Sequence, residues 1–84
     1  MAYTLSFEKR VEKDLAALDP EAEKRIWAKV EQLAEDPFPT GAIKLKGEPS
    51  YRLRVGDYRI LFDVDVATRT VTVLKIGHRK DIYR

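Results

Sequence analysis

The stretch 50-SYRLRVGDYR-59 decides how the rest of the chain is read. Tyr51, Leu53 and Val55 alternate with Arg52 and Arg54, and a period of two marks a half-buried strand. Gly56-Asp57 supplies a two-residue turn, with Gly at the first central position as a type II′ hairpin requires. Tyr58, Ile60, Phe62 and Val64 then resume the alternation on a return strand. A turn of this length fixes the register: Val55 faces Tyr58, Arg54 faces Arg59, Leu53 faces Ile60, Arg52 faces Leu61 and Tyr51 faces Phe62. One hairpin face is therefore apolar and the other carries Arg52, Arg54 and Arg59. Like charges directly opposite one another are destabilising unless an anion lies over them. The same alternation also describes a plain solvated sheet face. A guanidinium pair favours phosphate as the anion, because its fork matches phosphate oxygens.

Working outward, three strands follow one another. Residues 63 to 70 are polar enough to turn, and 70-TVTVLKIGH-78 alternates again. Asp63 and Asp65 flank that turn, where aspartate commonly serves local hydrogen bonding, so they are not read as an acid/base pair. The parity of the last strand is open by one residue. If Val73, Lys75, Gly77 and Arg79 share a face, that face is the arginine face; the other parity brings His78 there instead.

Upstream, Tyr3, Leu5 and Phe7 alternate as a short first strand. Val11, Leu15 and Leu18 then recur at helical spacing, which predicts a first helix of roughly ten residues. Asp19-Pro20 is a helix start, with Glu21 and Glu23 placed near the positive end of the dipole. Ala22, Ile26, Val30 and Leu33 form the apolar stripe of the second helix, widened by Trp27, which is assigned to the core, and Asp36-Pro37 ends it. The short link between the helices predicts a tight antiparallel pair. Residues 37 to 49, PFPTGAIKLKGEP, read as a punctuated connection anchored by Leu45, with Lys44 and Lys46 outside. The expected fold is α+β, in the order β-α-α-β-β-β, with an antiparallel sheet and a helical hairpin packed on one face.

Composition bounds the function. Eighty-four residues with 44% hydrophobic content suffice for one domain spanning 1–84. There is no cysteine and a single histidine, His78, so no metal-site spacing is present and no cofactor is expected. The opening MAYTLSFEKR lacks the basic flank and apolar run of a signal peptide, and no stretch approaches membrane-spanning length. A cytoplasmic protein without a membrane partner is the expectation. Charge is segregated: residues 1–43 hold six Lys or Arg against nine Asp or Glu, and residues 44–84 hold ten against five. The basic half contains the arginine hairpin, which suggests a polyanionic partner.

At YRLRVGDYRILF (51–62), VLKIGHRKDIY (73–83) and KLKG (44–47) the chain resembles the RelE branch of the RelE/ParE toxin superfamily over essentially its whole length. The resemblance implies the toxin of a type II toxin–antitoxin system. Its expected activity is ribosome-dependent, metal-independent endoribonuclease action on mRNA in the A site, and its expected partners are a RelB-like antitoxin, the ribosome and mRNA. In that reaction a ribose 2′-hydroxyl attacks the adjacent phosphate, and a preorganised cationic cluster stabilises the charge that develops. By position, Arg59 matches the family's phosphate-binding arginine, Arg79 its later charge-stabilising arginine, and Tyr83 its tail tyrosine, set two residues nearer. Lys44, Lys46, Lys75 and Lys80 are candidates for RNA-backbone contact. Arg52 and Arg54 stand where the family pattern has lysines, and an arginine, always protonated, is a poor general base. His78 has a suitable intrinsic pKa for that role. A ParE-like gyrase inhibitor and a non-catalytic RNA-binding module are the competing expectations.

Overall fold

The structure is a computed structural model describing residues 2–47 and 50–78. β1 (Thr4–Phe7) leads into α1 (Arg10–Ala16) and α2 (Pro20–Glu35), followed by β2 (Ile43–Lys44), β3 (Ser50–Val55), β4 (Tyr58–Asp65) and β5 (Thr70–His78). The strands form one sheet in the order β1-β5-β4-β3-β2. The hairpin β3–β4 has the register set by its turn, from Val55 opposite Tyr58 to Tyr51 opposite Phe62. Gly56 has φ +60°, while the only described non-glycine residue with positive φ is Arg69, so Asp57 completes a type II′ geometry.

The sheet is mixed, where a purely antiparallel one was expected. β1 runs parallel to β5, because the two helices form the crossover that parallel neighbours require, and the β2–β3–β4–β5 meander then returns the chain to the first strand. The connection after α2 also contains an unforeseen strand. Ile43 and Lys44 pair with Arg52 and Tyr51, since β3 otherwise presents an open edge, and the flanking Pro and Gly residues keep the addition to two residues. Ala42, rather than Leu45, packs from this segment against the core.

α2 begins where Asp19 accepts the Ala22 amide at 2.7 Å, one of the orphan donors of a helix start. Its Ile26, Val30 and Leu33, spaced to share a stripe, are fully buried. α1 is shorter than expected and contributes Val11; its N-cap position, Lys9, supplies no side-chain cap. Both helices pack on one sheet face, over Leu53, Val55, Ile60, Phe62, Val71, Val73 and Ile76. Trp27 departs from its core assignment. It is 36% exposed and tilts against Phe7 of the edge strand with ring centroids 5.5 Å apart, while its Nε1 donates to Glu23 at 3.4 Å. The stripe formed by Ile26, Val30 and Leu33 already fills the space over the sheet, so the residue beside it falls at the rim. No helix of the described residues is long and apolar enough to cross a membrane.

Candidate functional site

The face opposite the helices is assembled from two cross-strand rows. In one, Arg54 of β3 lies beside Arg59 of β4, which lies beside Gly77 of β5. In the next, Arg52, Leu61 and Lys75 occupy the same sequence of strands. Three arginines and one lysine thus share neighbouring positions at the turn end of the hairpin. Gly77 contributes no side chain to the row of Arg59. At the other end of this face the rows read Asp63 with Thr72 and Asp65 with Thr70, so the charge changes sign along the strands.

The two opposed arginines have different surroundings. Arg59 is 7% exposed, and its Nη1 donates to the Tyr58 carbonyl at 3.2 Å. Arg54 is exposed and donates through Nε to the Gly56 carbonyl at 3.1 Å, which ties it to the turn. A buried cation in a low-dielectric setting acts more strongly on a bound anion than an exposed one. Arg52 and Lys75 are half-buried. Asp63, inside β4 rather than at the turn, accepts the Val64 amide at 2.9 Å, whereas Asp65 ends the strand and accepts the Thr68 amide across the turn at 3.1 Å, as a turn position predicts.

A β-bulge settles the parity of β5. Phe62 pairs with Val73 and Leu61 with Lys75, leaving Leu74 without an opposite residue. Before the bulge Val71 and Val73 face the core; after it, Ile76 does. Neither regular alternation is therefore correct. Lys75 and Gly77 lie on the arginine face, but Val73 does not join them, because the extra residue reverses the facing of everything beyond it. His78 pairs with Tyr58 and meets it edge-on, ring centroids 5.6 Å apart. It lines an open recess of about 390 Å³ with Arg10, Lys13 and Asp14 of α1 and with Lys75 and Gly77 of its own strand.

Lys44 shares a register position with Tyr51, and Lys46 lies in the following turn; both are exposed at the β2 edge. Arg79, Lys80 and Tyr83 lie outside the described residues. Among the described residues, no group of three or more His, Asp or Glu side chains is placed to hold a metal ion. Sequence reading put Lys75 and Gly77 on the arginine face in one of its two parities and missed the bulge that separates them from Val73. A bulge leaves little trace in a continuous apolar run such as TVTVLKI, although the adjacent apolar pair Val73-Leu74 was the one available signal.

Fold and site define a small two-layer α+β protein with a basic patch on its open face. Comparison with known proteins narrows it. The family model for the ParE toxin of type II toxin–antitoxin systems, parDE, matches residues 5–83. Toxin RelG of Mycobacterium tuberculosis is 33% identical over 90 residues, an alignment that covers 100% of this chain and 99% of RelG. Among solved structures, the archaeal RelE–RelB complex from Pyrococcus horikoshii contains a chain that superposes with a TM-score of 0.84 at 30% identity, covering 94% of this chain and 97% of that one. The RelBE2 toxin–antitoxin complex of M. tuberculosis gives a TM-score of 0.84 at 27% identity, covering 94% and 100%. The chain belongs to the RelE/ParE superfamily of type II toxin–antitoxin toxins, and within it is a RelE-type toxin.

Proposed function

We propose that this toxin is an mRNA endoribonuclease that acts in the ribosomal A site and uses its basic sheet face to hold the scissile phosphate. The observation that carries this reading is the cross-strand pair Arg54 and Arg59, with Arg52 and Lys75 in the adjoining row. Such a cluster concentrates positive charge where guanidinium forks can hold phosphate oxygens. An RNA phosphodiester is complementary to it, and a pentacoordinate transition state with charge on its non-bridging oxygens is more so. Arg59, the buried member, is the preorganised donor to those oxygens. Arg52 and Arg54 flank it, Arg79 adds the second charge-stabilising guanidinium, and Tyr83 orients the RNA. Lys44, Lys46, Lys75 and Lys80 follow the backbone. The guanidinium groups of the face cannot accept a proton, so their part is charge stabilisation and alignment of the 2′-hydroxyl, with His78, which shares a recess with Lys75 and Gly77, the candidate to take its proton. The chain works as one cytoplasmic domain, without metal or cofactor. Its toxicity is held in check by a RelB-like antitoxin, a partner suggested by the RelE neighbours solved with RelB.

Primer extension on an mRNA translated in a purified system tests the reading. Wild type should cut within A-site codons only when ribosomes are present, and Arg59→Ala and Arg79→Ala should each abolish most of the product. A loss of about 10²–10³ in rate is typical when one preorganised donor to a developing oxyanion is removed. Intact mRNA with wild-type protein would sink the proposal. The match to the ParE family model favours one second reading, inhibition of DNA gyrase. In that case a supercoiling assay would respond to the protein, and the arginine substitutions would leave that response unchanged.

A further inference from the structure

β1 leaves the sheet at Phe7, and its last bond to β5 is from the Glu8 amide to the Val73 carbonyl at 2.9 Å. β5 continues to His78, so beyond Val73 its outer edge has lost its strand partner. Amides pointing out of that edge need another acceptor. Ile76 is 2% exposed, and its N–H donates to Oδ2 of Asp14 at 3.0 Å. Asp14 stands on α1, the element into which β1 turns, and its carboxylate occupies the place in the ladder that the first strand has vacated. Arg10, one turn earlier on the helix, brings its Nε to 3.9 Å from the same oxygen.

This bond lies two residues past the bulge. There the register decides whether Gly77 or His78 stands beside Arg59, because a one-residue slip exchanges the two faces of a strand. We infer that Asp14 is a positioning residue for the basic face: by holding the Ile76 amide from the helix side, it locks β5 past Leu74 in the register that turns Lys75 and Gly77 toward the arginines. Without that acceptor the bulge is free to migrate along β5. The consequence for RNA cleavage rests on the function proposed above; the consequence for strand register does not.

The test compares the full chain as wild type, Asp14→Ala and Asp14→Asn by NMR, with cleavage assayed in parallel. In Asp14→Ala the Ile76 amide should exchange at least about tenfold faster. Cross-strand contacts of Leu61 with Lys75 and of Arg59 with Gly77 should weaken, while those of Phe62 with Val73 persist. Asp14→Asn keeps a side-chain oxygen and should restore most of both signals. Where the wild type cleaves mRNA, Asp14→Ala should lower kcat with KM within about twofold, the signature of misalignment rather than lost binding. Unchanged Ile76 exchange and cross-strand contacts would overturn the inference. So would equal loss on both sides of the bulge, which would make Asp14 an ordinary stabilising residue. A wild type that cuts no RNA would remove the nuclease reading alone, leaving exchange and register to decide on Asp14.

Discussion

The two faces of the β3–β4 hairpin come from the same sixteen-residue run, 50–65, and do opposite things. On the helix side, Leu53, Val55, Ile60 and Phe62 disappear into the core with the stripe of α2. On the other side Arg52, Arg54 and Arg59 gather positive charge in adjoining positions. The stability of this small domain therefore resides in the helix side of the hairpin, and its charge in the other. One face holds the strands in place, and that register sets the cations of the other side by side.

The largest expected effect comes from the helix face. Phe62 is fully buried and stacks on Tyr51 at 5.6 Å, so Phe62→Ala should cost about 3–5 kcal/mol, a large part of the stability of a domain this size. Urea denaturation would measure it, and a loss below about 1 kcal/mol would show that the core does not centre there. The turn joining the faces is next. Gly56 has φ +60°, and a Cβ there would lie 3.4 Å from Arg25 Nη2, so Gly56→Ala should destabilise by about 1 kcal/mol. Because the turn sets the register, its cross-strand contacts between Arg54 and Arg59 should weaken in the same variant. The smallest effect on stability belongs to the open face. Arg54 is exposed, so Arg54→Gln should change unfolding free energy by no more than about 0.5 kcal/mol. It should nevertheless weaken single-stranded RNA binding and reduce the slope of log K against log salt by about 0.7, the share of one phosphate contact. An unchanged slope would leave Arg54 as a solvated residue.

Much of this was legible in the residues because it depends on short-range rules. The hairpin register follows from turn length alone, and the observed pairing agrees at every position from Tyr51 to Val55. The start of α2 was marked by Asp19-Pro20 and its buried stripe by spacing, and both are present. Trp27 shows the limit of that reasoning. Its helical position is compatible with the apolar stripe, but how many side chains fit between helix and sheet is set by the packed layer, and Ile26, Val30 and Leu33 fill it. β2 and the parallel pairing of β1 escaped for a related reason: an edge finds a partner only once the sheet exists.

The alternation of residues 50–65 by itself determined that this protein has a hairpin with one apolar face and three arginines on the other, since side-chain facing in a strand is a matter of period. The spacing of α2 likewise determined what covers the apolar face. Only the tertiary structure decided which residues of β5 complete the basic face. The bulge at Leu74 reverses parity in the middle of the strand, and the amide just past it is satisfied by Asp14, sixty-two positions away in the chain. No local pattern encodes that bond, because its acceptor reaches the strand only after α1 has docked beside it.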